Sequence, residues 1–145
     1  MFGLGLIYGS FLEWAVHKYL FHELGKNKNS VFSFHLREHH INCINNDNKD
    51  DRFTLRENLG IAMLALLHFP VFFLSPFFYY GLVTYGLAFI VFHNLIHKNV
   101  KWGKKWFPWH WDHHMVHQNH NMNVILPIVD HLLGTRKRSL TKGNK

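Results

Sequence analysis

The sequence predicts an all-α integral membrane protein in which transmembrane helices carry a histidine-rich cap. Two observations support this fold class. The chain of 145 residues is 48% hydrophobic, yet its apolar residues are concentrated in long runs separated by strongly polar stretches. Its 14 histidines lie in spaced groups beside these runs rather than in one tract. A chain of this length is typical of one domain, so we expect residues 1–145 to form a single unit.

The first predicted span covers approximately residues 1–17. Residues 1–16 are apolar except for Ser10 and Glu13. No basic residues precede this run and no small-residue cleavage pattern follows it, so a membrane helix is a better interpretation than a signal peptide.

The second apolar region, residues 59–96, is long enough for two further spans. A membrane-crossing helix needs about 20 residues. Pro70 and Pro76 lie near the middle of the region, where a turn is needed. We therefore predict a hairpin of two spans, at approximately 58–76 and 77–97.

The remaining segments are polar. Residues 24–30 predict a turn and residues 31–40 a helix, whereas the Asn- and Asp-rich residues 42–56 predict a surface loop. Lys and Trp alternate in residues 100–111, which is typical of a segment at the membrane interface. We expect the basic tail, approximately 139–145, to be disordered.

Charge and cysteine content exclude several classes of protein. The net charge of +7 is compatible with binding nucleic acid or an anionic membrane surface. The basic residues flank apolar runs, so we expect a membrane location and no nucleic-acid partner. Cys43 is the single cysteine, which excludes an internal disulfide and makes a cysteine-based zinc module implausible.

The predicted topology places every histidine group on one face of the membrane, because a hairpin returns the chain to the side it left. Basic residues fall on the same face, which indicates the cytoplasm. The groups read His17-x4-His22, His35-x3-His39-His40, His93-x3-His97 and His110-x2-His113-His114. Residues three or four apart share a face of an α-helix, so members of the last three groups are expected to do so. The first two histidines are five apart, so one is expected at a helix end.

These ten histidines predict a site for two metal ions. Neutral imidazole suits iron, zinc and copper, and one ion takes roughly four to six ligands. Without metal, so many imidazoles near a bilayer would be desolvated and would repel one another when protonated.

Three further residues are candidates for supporting the ligands by hydrogen bonds: Glu13, His117 and Asn121. Glu13 lies four residues before His17 and could accept a hydrogen bond from that ring. A helix-end carboxylate facing water is an equal alternative. His68, alone in an apolar run, is expected to be a structural residue rather than a ligand.

The histidine groups resemble those of the fatty acid hydroxylase superfamily, which also contains sterol desaturases and methyl oxidases. The matching segments are EWAVHKYLFH (13–22), FHLREHH (34–40), HNLIH (93–97), HWDHH (110–114) and the closing NHNMNVILPIVDHLLGTR (119–136). Family members commonly have an aromatic residue and Gly after the closing Asn, whereas Met122 and Asn123 follow Asn121 here.

This resemblance implies a cytosolic cap that holds two iron ions, with zinc possible in the isolated protein. It implies O2 as co-substrate, a lipid substrate, and an outside electron donor such as cytochrome b5 or a ferredoxin with its reductase. The membrane would be the bacterial inner membrane or the endoplasmic reticulum. The implied ligands are His17, His22, His35, His39, His40, His93, His97, His110, His113 and His114.

Several functions remain open at this point. The expected reaction is hydroxylation of a C–H bond in a fatty acyl chain or related lipid. A sterol or lipid desaturase, or a methyl oxidase, would use the same site. A metal-binding or transport membrane protein without catalysis, and a haem protein with two axial histidines, are further alternatives.

Overall fold

The computed structural model describes residues 1–50 and 55–139, and the regular elements within them are all helical. This confirms the predicted all-α class for the described residues. The predicted disordered tail lies outside them except for Ser139. The elements are α1 (Phe2–Ala15), the π-helix π1 (Val16–Glu23), a 3-10 turn (Leu24–Lys26), the π-helix π2 (His35–His40), α2 (Ile41–Asn45), α3 (Leu55–Leu67), α4 (Pro70–Leu74), α5 (Pro76–Lys98), α6 (Val100–Trp106), α7 (Pro108–Met115) and α8 (Ile128–Leu132).

Among the described residues, two helical stretches are long and apolar enough to cross a membrane: Leu55–Leu74, with 20 residues, and Pro76–Lys98, with 23. Ser75 separates them in an extended conformation (φ −153°), as expected for the residue before a proline. Large side chains on the first stretch face outward, with Leu66 71% and Phe73 74% exposed. These exposed apolar side chains are suited to contact with lipid.

Helix α1 packs along α5 in the same direction through two glycines. Gly5 lies against Phe78 and Leu82, and Gly9 lies against Tyr85. Glycines four residues apart let two helix backbones approach closely. Since the helices run parallel, their C-terminal ends bring the histidines that follow α1 and those that end α5 to the same end of the bundle.

Replacing Gly5 with alanine is expected to lower the stability of the α1–α5 pair by about 1–3 kcal/mol, the usual cost of overpacking. A Cβ atom at this position would collide with the backbone oxygen of Phe78, which cannot move aside as a flexible side chain can. Thermal unfolding in detergent measures the effect. Gly3→Ala is the matched control, because a Cβ there meets no atom within 4 Å. Equal melting temperatures for the two variants would contradict close packing at Gly5.

Residues 51–54 of the predicted surface loop lie outside the described residues. The segment before them, residues 41–50, departs from that prediction. Its first residues form α2, and Asn48 and Asp50 are buried, with 0% and 4% exposure. Asp47 and Asn48 adopt left-handed backbone conformations (φ 51° and 69°), which Asp and Asn tolerate better than most residues. This turn sends the chain back towards α5 instead of into solvent.

Candidate metal centre

Two π-helical segments decide how the first histidines are arranged. Hydrogen bonds in a π-helix join residues five apart, so such residues stack on successive turns. His17 and His22 are five apart in π1, and their ring centroids are 5.0 Å from each other. His35 and His40 are five apart in π2, with ring centroids 4.8 Å apart. The spacing of an α-helix, which predicted a shared face for His35 and His39, therefore does not apply to π2.

The ten predicted ligand histidines converge into two groups. Each of these histidines exposes 6% or less of its surface to solvent. In each group the candidate ligand atoms lie within 4.8 Å of one another. The first group is His17, His22, His35, His40 and His113, and the second is His39, His93, His97 and His114. His110 adjoins the second group, since its Nε2 lies 3.0 Å from Nε2 of His97 and 3.1 Å from Nε2 of His114.

The spacing of the ring nitrogens fits ligands of a single ion in each group. In the first group, Nε2 of His35 lies 3.0 Å from Nε2 of His17 and 3.1 Å from Nε2 of His40. Nε2 of His40 lies 3.2 Å from Nε2 of His113. Two nitrogens that are each about 2.1 Å from one ion, at about 90°, are about 3.0 Å apart.

Backbone carbonyls fix the tautomers of three of these rings. A carbonyl oxygen only accepts, so the Nδ1 that faces it carries the proton, and Nε2 presents its lone pair to the centre of the group. The donor–acceptor pairs are His17 Nδ1–H to Met122 O (2.6 Å), His97 Nδ1–H to Asn48 O (2.9 Å) and His113 Nδ1–H to His120 O (2.7 Å). The Nε2 lone pairs that face one another carry no proton and would repel one another, and a bound cation removes this repulsion.

Several buried ring nitrogens point to the same requirement. Nε2 of His22, His39 and His93 is buried without a hydrogen-bond partner among the described residues. Leaving a buried polar atom unpaired costs about 1–3 kcal/mol. A bound ion would remove this cost at each of them, so the donor set fits metal.

Burial keeps most of these rings neutral, as metal ligation requires. Burial and the neighbouring imidazoles lower the pKa of His40 and of His114 well below the usual histidine value. His39 differs. Burial lowers its pKa, but hydrogen bonds to Asp50 and Cys43 outweigh that effect and raise it to about 10. A cation at Nε2 of His39 would take the place of the second proton.

The model of the family described as "Fatty acid hydroxylase" matches residues 2–135. The chain belongs to the fatty acid hydroxylase family. Comparisons with curated proteins and with solved structures gave no match. Family membership supports an oxidoreductase of the fatty acid hydroxylase type that acts on a lipid in a membrane. The histidine groups can bind metal, and the family is typically iron-dependent.

Glu13 does not make the contact with His17 that the sequence analysis considered. The Glu13 carboxylate instead accepts hydrogen bonds from Tyr85 Oη (2.5 Å), Asn123 Nδ2 (3.0 Å) and the Val124 backbone N–H (2.6 Å). The ring of His17 is held by the carbonyl of Met122 instead. Glu13 therefore supports the ligand indirectly, by fixing the chain that follows Met122.

The contacts of the other two predicted supporting residues are with residues other than the ligands. The Asn121 side chain accepts from the Lys137 backbone N–H (2.8 Å) and donates to the Lys137 carbonyl (2.8 Å). Its left-handed backbone (φ 60°) is one that Asn tolerates. His117 is partly exposed, and its ring contact is with His120, at 6.1 Å between centroids. Asn121 thus stabilises the fold of the closing segment and does not hold a ligand ring in place.

The closing segment of the family is organised by Asp130, which is fully buried. Its carboxylate accepts from the backbone N–H groups of Met122 (3.0 Å) and Asn123 (2.8 Å) and from the Thr135 hydroxyl (2.6 Å). These bonds position the Met122 carbonyl that holds His17. In the sequence, Asp130 is visible only as part of the closing segment, residues 119–136.

Asp130→Ala is expected to destabilise the protein by about 3 kcal/mol or more, because each buried donor left unpaired costs about 1–3 kcal/mol. Metal bound by the first group should also be lost more readily, because the Met122 carbonyl is no longer held. Chemical denaturation and metal analysis measure the two effects. Glu23→Ala, which removes an exposed carboxylate from a helical position, serves as a control. An Asp130→Ala protein as stable as this control would contradict the assigned role.

An apolar cavity adjoins the histidine groups. Its volume is about 510 Å³, and it lies between α1, α3 and α5. His17, His35 and His93 line one end, so it reaches both groups. It extends along α5 as far as Leu82, about 16 Å from His93 at 1.5 Å per residue.

His68 has the structural role expected from the sequence. Its Nδ1–H donates to the Leu64 carbonyl (2.7 Å), which leaves Nε2 to accept from the Tyr8 hydroxyl (2.9 Å). The pair joins α1 to the end of α3 beside Gly9 and Leu67, which line the cavity. Both ring nitrogens are satisfied, so His68 is not available as a ligand.

Proposed function

We propose that this protein is a membrane-bound oxygenase that hydroxylates a C–H bond of a fatty acyl chain or related lipid. The observation that carries the proposal is the contact between two buried imidazole groups and one apolar cavity. Membership of the fatty acid hydroxylase family supports the same reaction class.

The two histidine groups would each hold one iron ion. The first ion would be bound by the group that contains His113, and the second by the group that contains His114, together with His110. When bound, the two ions supply the oxidising power that an unactivated C–H bond requires, with O2 as co-substrate. An external donor such as cytochrome b5, or a ferredoxin with its reductase, would deliver the electrons.

The cavity would bind the apolar part of the substrate. A chain lying along α5 would place one of its carbons beside His17, His35 and His93. Walls built from apolar side chains such as Leu12, Leu64 and Phe89 match such a chain and exclude water from the site. Since α1 and α3 both pack on α5 with the cavity between them, the substrate would enter from the bilayer.

Basic residues support a cytoplasmic position for the histidine end, in the bacterial inner membrane or the endoplasmic reticulum. Exposed lysines lie at the histidine-bearing ends of the helices, since Lys98 is the last residue of α5 and Lys101 lies in α6. Positively charged residues beside spans remain on the cytoplasmic side. Lys104 lies over the ring of Trp111 at 3.7 Å, a pairing suited to the headgroup region.

The test is metal analysis of the detergent-purified protein, followed by turnover with 18O-labelled O2, an electron-donor system and membrane lipids. We expect two iron ions per chain and a lipid product that carries one 18O atom. A product that has lost two hydrogens without gaining oxygen would identify a desaturase. One ion, haem, or no metal would contradict the two-metal oxygenase.

A further inference from the structure

We infer that Glu57 is a positioning residue that serves both metal-binding groups at once. This inference rests on the proposed two-metal site. Glu57 is the third residue of α3 and is 8% exposed. Glu57 lies outside the histidine groups that the sequence singles out.

The two carboxylate oxygens of Glu57 face histidines of different groups. Oε1 lies 3.4 Å from Nδ1 of His35, which belongs to the first group. Oε2 lies 3.7 Å from Nδ1 of His93, which belongs to the second. One side chain therefore lies between a candidate ligand of each ion.

A carboxylate in this position controls how an imidazole binds metal. It favours the proton on the facing Nδ1, orients the ring and makes the opposite nitrogen a stronger ligand. Nε2 of His35 accordingly lies 3.0 Å from Nε2 of His17, inside the first group. Nε2 of His93 is buried without a hydrogen-bond partner among the described residues. Both rings thus present Nε2 for ligation.

Asp50 provides the contrast within the same protein. Its Oδ2 lies 3.0 Å from Nδ1 of His39, a member of the second group. Loss of the Asp50 carboxylate should therefore weaken the binding of one ion, whereas loss of the Glu57 carboxylate should weaken the binding of both. This difference separates a shared positioning role from a general effect of removing buried charge.

The experiment measures release of metal to a strong chelator from the purified, iron-loaded protein. Glu57→Gln removes the charge from both contacts and leaves one accepting atom in place of two. We expect release of both ions to become on the order of 10-fold faster, because the variant loses the charge that supports both ligand rings, through a hydrogen bond to His35 and an ion-pair contact with His93. Asp50→Asn should accelerate the release of one ion only. Glu57→Asp, which keeps the charge with a shorter reach, should fall between Glu57→Gln and the unaltered protein.

Glu38→Gln is the matched control. Glu38 precedes His39, but its carboxylate is exposed and bonds to Arg56 at 3.0 Å. We expect this variant to release metal like the unaltered protein. Faster release of a single ion from Glu57→Gln, or no change, would overturn the shared role. An unaltered protein that holds fewer than two ions would instead refute the two-metal function on which the inference rests.

Discussion

Replacing His113 with alanine is expected to remove one of the two metal ions and to abolish turnover. His113 is fully buried, and its Nε2 lies 3.2 Å from Nε2 of His40. Its loss removes the ligand that the His120 carbonyl orients and leaves a vacant position in the first group, while the second group is intact. Metal content should fall from two ions per chain towards one. We expect activity to fall by at least about 100-fold, since chemistry that depends on two ions cannot proceed with one.

The adjacent residue provides a sharp comparison. His114 belongs to the second group, so His114→Ala should lose the other ion and retain the first. Elemental analysis gives the number of ions, and iron spectroscopy distinguishes which site remains. His131→Ala, an exposed histidine in α8, should keep both ions. If His113→Ala and His114→Ala each keep two ions and full activity, the ligand assignment is wrong.

Filling the cavity at Gly60 should block lipid oxidation without removing metal. Gly60 lines the cavity, and a Cβ built on it meets no atom within 4 Å. A phenylalanine there would occupy space that the substrate chain needs. We expect Gly60→Phe to lower turnover by at least about 10-fold, as is usual for a misfit in an apolar pocket. Turnover and metal content are measured on the same preparation.

Gly3→Phe is the matched control for this substitution. Gly3 also has no atom within 4 Å of a built Cβ, but it does not line the cavity. This variant should turn over lipid normally. If Gly60→Phe retains both metal content and normal turnover, the substrate does not bind between α1, α3 and α5.

The predicted spans illustrate what residue patterns can and cannot define. The apolar residues around Pro76 predict a hairpin, because a run of this length must turn to fit a bilayer. The helices indeed separate at Ser75 and Pro76. Both prolines begin a helix as its first residue, where the missing N–H costs little. Phe69, before Pro70, keeps helical backbone angles (φ −54°, ψ −37°), whereas Ser75, before Pro76, is extended. The tertiary setting alone separates these two prolines.

The groups that form hydrogen bonds to the ligand histidines were the hardest part of the site to predict from the sequence. The carbonyls of Asn48, Met122 and His120 hold three rings, and a carbonyl carries no signal of residue type. Asp50 and Glu57 do carry a signal, since both are carboxylates soon after the second histidine group. Asp50 lies within the predicted surface loop, residues 42–56, and Glu57 follows that loop directly, so neither was expected beside the ligands.

The sequence alone determined the all-α membrane class, the ten converging histidines and the family, because apolar run length and histidine spacing depend on local order along the chain. The tertiary structure decided how those histidines divide between two groups. His113 and His114 are neighbours in the chain but belong to different groups. The same is true of His39 and His40. Adjacent residues on a helix point in different directions. Which centre each ring reaches is therefore set by the π-helical winding and by the packing of α1 and α3 on α5.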